Sequence, residues 1–216
     1  MMAGALSSGP VGTLSWASAP FGAPAPDREL VLVYWAQRAS ATVPAIASRE
    51  IGGQTADVHV EDLTYTGNVS AGTVVVGVAS VKEATAATSG LVEFVFTEGM
   101  SMQGALYRVT GLASRTPHDT ALGVMDGSPA DMTETISLPI GGVVFGSMAT
   151  IAAYAAVTST HTGIDIDNDT LLNTNHHVSL GKKLTIPAIA AHDLQAVSTG
   201  PDASKYGHHI AAASFR

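Results

Sequence analysis

Short apolar runs recur along the chain, separated by Gly, Pro, Ser and Thr, and few of them have helical spacing. Residues 28–37 (RELVLVYWAQ) form a continuous apolar run, which predicts a central strand. After a turn at Gly52-Gly53 the residues alternate. Ala56, Val58 and Val60 are expected on one face, and Asp57, His59 and Glu61 on the other. Further strands are predicted at residues 72–82, 91–97 and 104–112, and residues 114–132 read as a long polar connection. Residues 133–149 (TETISLPIGGVVFGSMA) predict two strands parted at Pro139 to Gly142. The segments TGIDID (162–167), LLNTNHHVSL (171–180), LTIPAIAAHDLQAVSTG (184–200) and YGHHIAAASF (206–215) complete the pattern. About ten short strands at spacings of roughly 8 to 15 residues indicate an antiparallel β-sandwich, jelly-roll-like in type.

The first part of the chain differs. SSGPVG (7–12) and PFGAPAPD (20–27) are too rich in Gly and Pro for a helix, and TLSWASA (13–19) between them suits one short strand. The expected organisation is an extended N-terminal arm, residues 1–27, and a single sandwich domain, residues 28–216.

Composition narrows the function. The 216 residues are 46% hydrophobic but only 13% charged, so Ser, Thr, Ala and Gly must cover much of the surface. Such surfaces suit subunits that meet other subunits. A formal charge of −8 argues against nucleic acid or an anionic membrane as partner. The absence of Cys excludes disulfides, thiolate chemistry and Cys-based zinc sites. The apolar run 141–157 falls short of the roughly 18 to 20 residues needed to span a bilayer. The N-terminus lacks the pattern of a signal peptide.

Several segments in order carry a family resemblance. They are Gly22 with Arg28 and residues 30–33 (LVLV), IGGQTA (51–56), LYRVTG (106–111), TPHDT (116–120), ISLPIGGVVFG (136–146), TGIDID and the terminal AASF (212–215). From Ser15 to Phe215 the chain resembles uncharacterised β-rich structural (virion) proteins of tailed bacteriophages. The resemblance implies a virion sandwich and no catalytic residues. It does not fix a position on the particle.

Candidate chemistry is sparse. Asp165, Asp167 and Asp169 occupy the first three ligand positions of an EF-hand loop. The required Gly and Glu are replaced by Thr170 and His176, so that motif fails. On a strand the three carboxylates would share a face, with Ile164 and Ile166 turned to the core. A solvated strand end is the favoured reading, and a non-EF-hand Ca²⁺ site is the alternative. In the pairs His176-His177 and His208-His209, adjacent members point to opposite faces. One His from each pair could therefore meet across strands or around a trimer axis, but surface or half-buried imidazoles bonded to backbone are the favoured reading. His118 in HDT lacks a G-x-S-x-G elbow to serve, and Glu93 with Glu98 is a carboxylate pair of unfixed separation. GKK (181–183) is not a phosphate loop. Arg28 at a strand start is favoured as a solvated charge, with bonds to carboxylates or carbonyls of a neighbouring loop as the alternative. Trp16 and Phe21 in the arm are the candidate assembly contacts.

These readings lead to a non-enzymatic, virion-located structural subunit. It is expected to be a surface accessory (head decoration, head spike or fibre, or tail component) that partners capsid or tail proteins, with a homotrimer favoured. The alternative is a carbohydrate- or receptor-binding module, Ca²⁺-dependent through the aspartates, with a host glycan as ligand. No other cofactor, nucleic acid or membrane is expected.

Overall fold

The computed structural model describes residues 2–4, 11–66, 72–83, 85–127, 131–152, 158–172, 176–184, 187–199 and 206–216. The described residues are all-β, with every strand pair antiparallel. In the first half are β1 (Met2–Gly4), β2 (Val11–Pro20), β3 (Glu29–Arg38), β4 (Ile46–Ile51), β5 (Gln54–Thr55), β6 (Asp57–Thr66), β7 (Gly72–Lys82) and β8 (Ser89–Val109). In the second are β9 (Asp119–Asp126), β10 (Asp131–Leu138), β11 (Val143–Ala152), β12 (Thr158–Thr162), β13 (Asp165–Leu172), β14 (His176–Leu184), β15 (Ile189–Thr199) and β16 (Tyr206–Phe215).

The strands stack as four layers around three apolar cores. The eight-stranded sheet folds over along β8. Residues Ser101 to Val109 of β8 join β3, β7 and β6 in layer A. The earlier part of β8 joins β2, β4 and β5 in layer B. Layer C has the order β13-β14-β11-β16-β9, and layer D the order β10-β15-β12. Leu30, Leu32 and Tyr34 of β3 pack with Leu14, Phe94 and Phe96 between layers A and B. The alternate residues Val31, Val33 and Trp35 pack with Phe145, Leu180 and Phe215 between A and C. Val144, Met148, Ile210 and Ala212 meet Ile136, Leu194 and Ala196 between C and D.

This stacking explains the two kinds of strand. Strands β3, β7, β11 and β16 lie in inner layers with both faces covered, so nearly every residue is buried. Outer strands such as β15 alternate buried with more accessible residues.

Three expectations change. First, residues 91–97 and 104–112 belong largely to one 21-residue strand, because β8 exchanges hydrogen-bond partners instead of ending. Second, residues 119–126 of the expected connection form β9, which closes the edge of layer C against β16. Third, a β-bulge between Val58 and Val60 breaks the alternation of β6. Val60 stays buried at 8% exposure while Val58 reaches 40%.

Over its described part the N-terminal segment lies along the sheet. β2 pairs along β8, and Leu14, Ala19 and Phe21 enter the first core. Phe21 lies over Gly90, where an added Cβ would come within 2.5 Å of its ring. Arg28 is likewise fully buried and not solvated. Its Nε donates to the Glu83 carbonyl at 2.8 Å, Nη1 to the Gly22 carbonyl at 3.1 Å, and Nη2 to the Thr85 carbonyl at 3.0 Å. One guanidinium thus ties the entry to β3 to the chain leaving β7.

Candidate functional site

A polar cluster lies at the junction of layers C and D. Thr150 of β11 stands opposite His177 on β14 and opposite His208 on β16, so these strands align His177, Thr150 and His208 in one row. The adjacent Ala149 and Val178 belong to the core facing layer A, so the row faces layer D. From layer D, β12 lowers Ser159 and His161 onto the row, two residues apart on one face. β13 adds Asp169, opposite Ser179 on β14.

The side chains form a branched hydrogen-bond chain. Ser179 Oγ donates to Asp169 Oδ1 at 2.6 Å, and its oxygen lies 2.7 Å from His161 Nδ1. His161 Nε2 lies 2.9 Å from Thr150 Oγ1, which lies 3.1 Å from His208 Nδ1. On the other branch His177 Nε2 is 2.7 Å from Asp169 Oδ1, and His177 Nδ1 is 2.6 Å from Ser159 Oγ. The His161 and His177 rings stack with centroids 4.6 Å apart and planes at 11°. His161 and His208 are buried, whereas Asp169 reaches solvent.

Donor and acceptor inventories assign the hydrogens. The Ser179 hydrogen goes to the carboxylate, so Ser179 Oγ accepts from His161 Nδ1–H. Neutral His161 then carries no hydrogen on Nε2, which accepts from the Thr150 hydroxyl. Thr150 Oγ1 in turn accepts from His208 Nδ1–H. The result is one directed chain from buried His208 through Thr150, His161 and Ser179 to Asp169. In the second branch Ser159 donates to His177 Nδ1, and His177 Nε2–H donates to Asp169. Burial pushes the His161 imidazole down to about 3, helped by repulsion from His177 and His208 and only partly offset by Asp169. The chain is therefore built around a neutral His161.

Ser159, His177 and Asp169 share the hydroxyl–imidazole–carboxylate order that activates a serine nucleophile. Their setting differs from a nucleophile elbow, because Ser159 lies within β12 and faces Ser198 of β15 in the ladder. What the arrangement does directly is hold β12 onto layer C through directional bonds.

The sequence-predicted residues are distributed as follows. Asp165, Asp167 and Asp169 have separate surroundings. A bulge between Ile166 and Asn168 makes Asp167 the extra residue and ends the alternation. Asp167 accepts from Lys182 Nζ at 3.0 Å, and Asp169 turns to His177 and Ser179. Asp165 is exposed, and among the described residues no three His, Asp or Glu side chains are placed to hold one metal ion. Ile164 is buried at 7%, but Ile166 is 40% exposed. Burial, with the Asp167 carboxylate beside it, pushes the Tyr107 phenol up.

The members of the pair 208–209 do point to opposite faces. His209 is fully buried toward layer A, with Nδ1 3.5 Å from Asp62 Oδ2. His118 is exposed, 3.3 Å from Ser137 Oγ, and Glu98 is paired with Arg38. Trp16 is partly buried against the first core. Phe21, at 1% exposure, is spent on its own chain and leaves no side-chain surface for a neighbour. Sequence reasoning passed over His161, Ser159, Thr150 and Ser179. The alternation of Ser159 and His161 within TSTHT was the available signal.

No family model, curated protein or solved structure matches the chain.

Proposed function

We propose that this protein is a non-enzymatic structural component of a tailed-phage virion, a surface accessory subunit that acts by assembling with copies of itself and with capsid or tail proteins. One observation carries the assembly reading. The most exposed large apolar side chains among the described residues are Ile140 at 69% and Leu184 at 70%. They sit at one end of layer C. Ile140 lies in the turn before β11, and Leu184 stands opposite Val143, the first residue of β11. Leu184 also lines a groove of about 170 Å³ with Tyr107, Val109, Val143 and Phe145, and Arg108 and Lys182 are among its walls. Apolar side chains exposed to this degree suit a subunit contact.

Low charge supports the same reading, since 13% charged residues leave few groups to keep such a surface solvated as a monomer. The resemblance in segment order supports the virion setting, and the trimer follows from that resemblance alone. A Ca²⁺-dependent glycan-binding role has less support, because the aspartates it needs have separate partners. The test of the setting is mass spectrometry of gradient-purified phage particles together with antibody labelling of intact virions. The protein is expected in stoichiometric amounts and accessible on the particle surface. Its absence from purified particles would overturn the proposal.

A further inference from the structure

We propose that the chain Asp169–Ser179–His161–Thr150–His208 is an acid-sensitive latch that holds β12, the edge strand of layer D, onto layer C. Much of the C–D junction is apolar, formed by residues such as Met148, Ile136, Leu194 and Ala196. Its other titratable contacts are those of His118 and Asp119 with Ser137, of Glu134 over Gly123, and of His192 with the Gly163 carbonyl. At the β12 end the contact depends on hydrogens that all run in one direction.

The direction is what makes the latch sensitive. An added proton on His161 Nε2 turns an acceptor into a donor facing the Thr150 hydroxyl. Thr150 already accepts from His208 Nδ1–H, so its own hydrogen must leave the chain for another acceptor. The new charge would also sit 4.6 Å from the His177 ring. Asp169 is the exposed end of the chain and the point at which it meets solvent protons.

The ionisable groups facing His161 are Asp169 from β13, His177 from β14 and His208 from β16. β11 contributes the Thr150 hydroxyl, and on β15 the residue paired with His161 is Ala196. Asp169 favours the added proton, and the two histidines oppose it.

The sign follows from linkage. In the docked state His161 is held down to about 3. Once β12 opens into water the imidazole returns to about 6.5. The open state therefore binds more protons, and acid favours opening. Between about pH 7.4 and about pH 5, one such proton raises the opening equilibrium about thirty-fold.

The test is amide hydrogen exchange of the full chain at these two pH values, with exposure times corrected for intrinsic rates. Residues 158–162 and their partners 195–199 on β15 are expected to lose protection about thirty-fold at the lower pH. Unchanged protection of residues 158–162 would overturn the proposal. Two variants separate this latch from the histidine on the other face of β16. His161→Gln should abolish the pH response of β12, and His209→Gln should leave it intact. The reverse pattern would assign the response to the A–C core and sink the latch. The wild-type comparison decides the question even if a variant does not fold.

Discussion

Replacing Arg28 by Met should cost more stability than almost any other single change outside the apolar cores. Arg28 and Glu83 are 0% and 2% exposed, with Arg28 Nη2 3.8 Å from Glu83 Oε1. The guanidinium also supplies the three carbonyl hydrogen bonds of 2.8, 3.1 and 3.0 Å that join residues 22, 83 and 85. Met fills similar volume but donates nothing, so three carbonyls and one buried carboxylate lose a charged partner. Glu83 keeps Gln54 Nε2 at 3.1 Å and the Thr85 backbone N–H at 2.8 Å, which limits the damage. Breaking a buried pair by removing one partner costs about 3 to 5 kcal/mol. For a chain of this size that corresponds to a fall in Tm of roughly 10 °C. Arg28→Lys should recover only part, because a single ammonium cannot reach acceptors on two segments in the plane of a guanidinium. The assay is urea unfolding followed by the fluorescence of Trp35, which lies fully buried in β3. A loss for Arg28→Met below about 1 kcal/mol would refute the reasoning, since that is the scale of an exposed pair.

Other consequences follow from the packing and the polar cluster. Gly77 on β7 faces the Tyr34 ring, and an added Cβ would approach it to 2.4 Å. Gly77→Ala should therefore destabilise by about 1 to 3 kcal/mol in the same urea assay, although Ala suits a strand no worse than Gly. Global stability should fall in acid through His161. Its folded pKa lies below its unfolded value, so the contribution is complete above about pH 6.5 and is lost progressively toward pH 3, by about 2 kcal/mol at pH 5. Urea curves across that range check this, and His161→Gln should flatten them. EDTA and added Ca²⁺ should leave the thermal melt unchanged, because Asp165, Asp167 and Asp169 do not converge on one point. A Ca²⁺-dependent rise in Tm would contradict the placement of these aspartates.

The strand content of this chain is legible in its apolar runs, but the number of layers is not. The continuous run in β3 reads as a central strand, and β3, β11 and β16 are all buried on both faces, which takes a layer on each side. What the sequence cannot show is which layer covers which face. That depends on β8 folding over and changing partners midway, a long-range event with no local marker. Bulges are equally hidden. One extra residue at His59 and one at Asp167 shifted the faces of Val58 and Ile166, and each bulge is set by the partner strand. The paired histidines were visible as candidates for a meeting across strands. The residue that joins His177 to His208 is His161, from a strand in another layer, and only the packing of D on C brings it there.

Sedimentation velocity on the full chain over a wide concentration range tests most directly the claim that this protein acts by assembly. The prediction is a stable species of ~66 kDa, three times the 22.0 kDa chain, at micromolar concentrations. Ile140→Ser with Leu184→Ser should shift it toward the single chain without lowering the Tm of that chain, because both side chains are already exposed. A species of one chain's mass at every concentration, for the unaltered protein, would contradict the account.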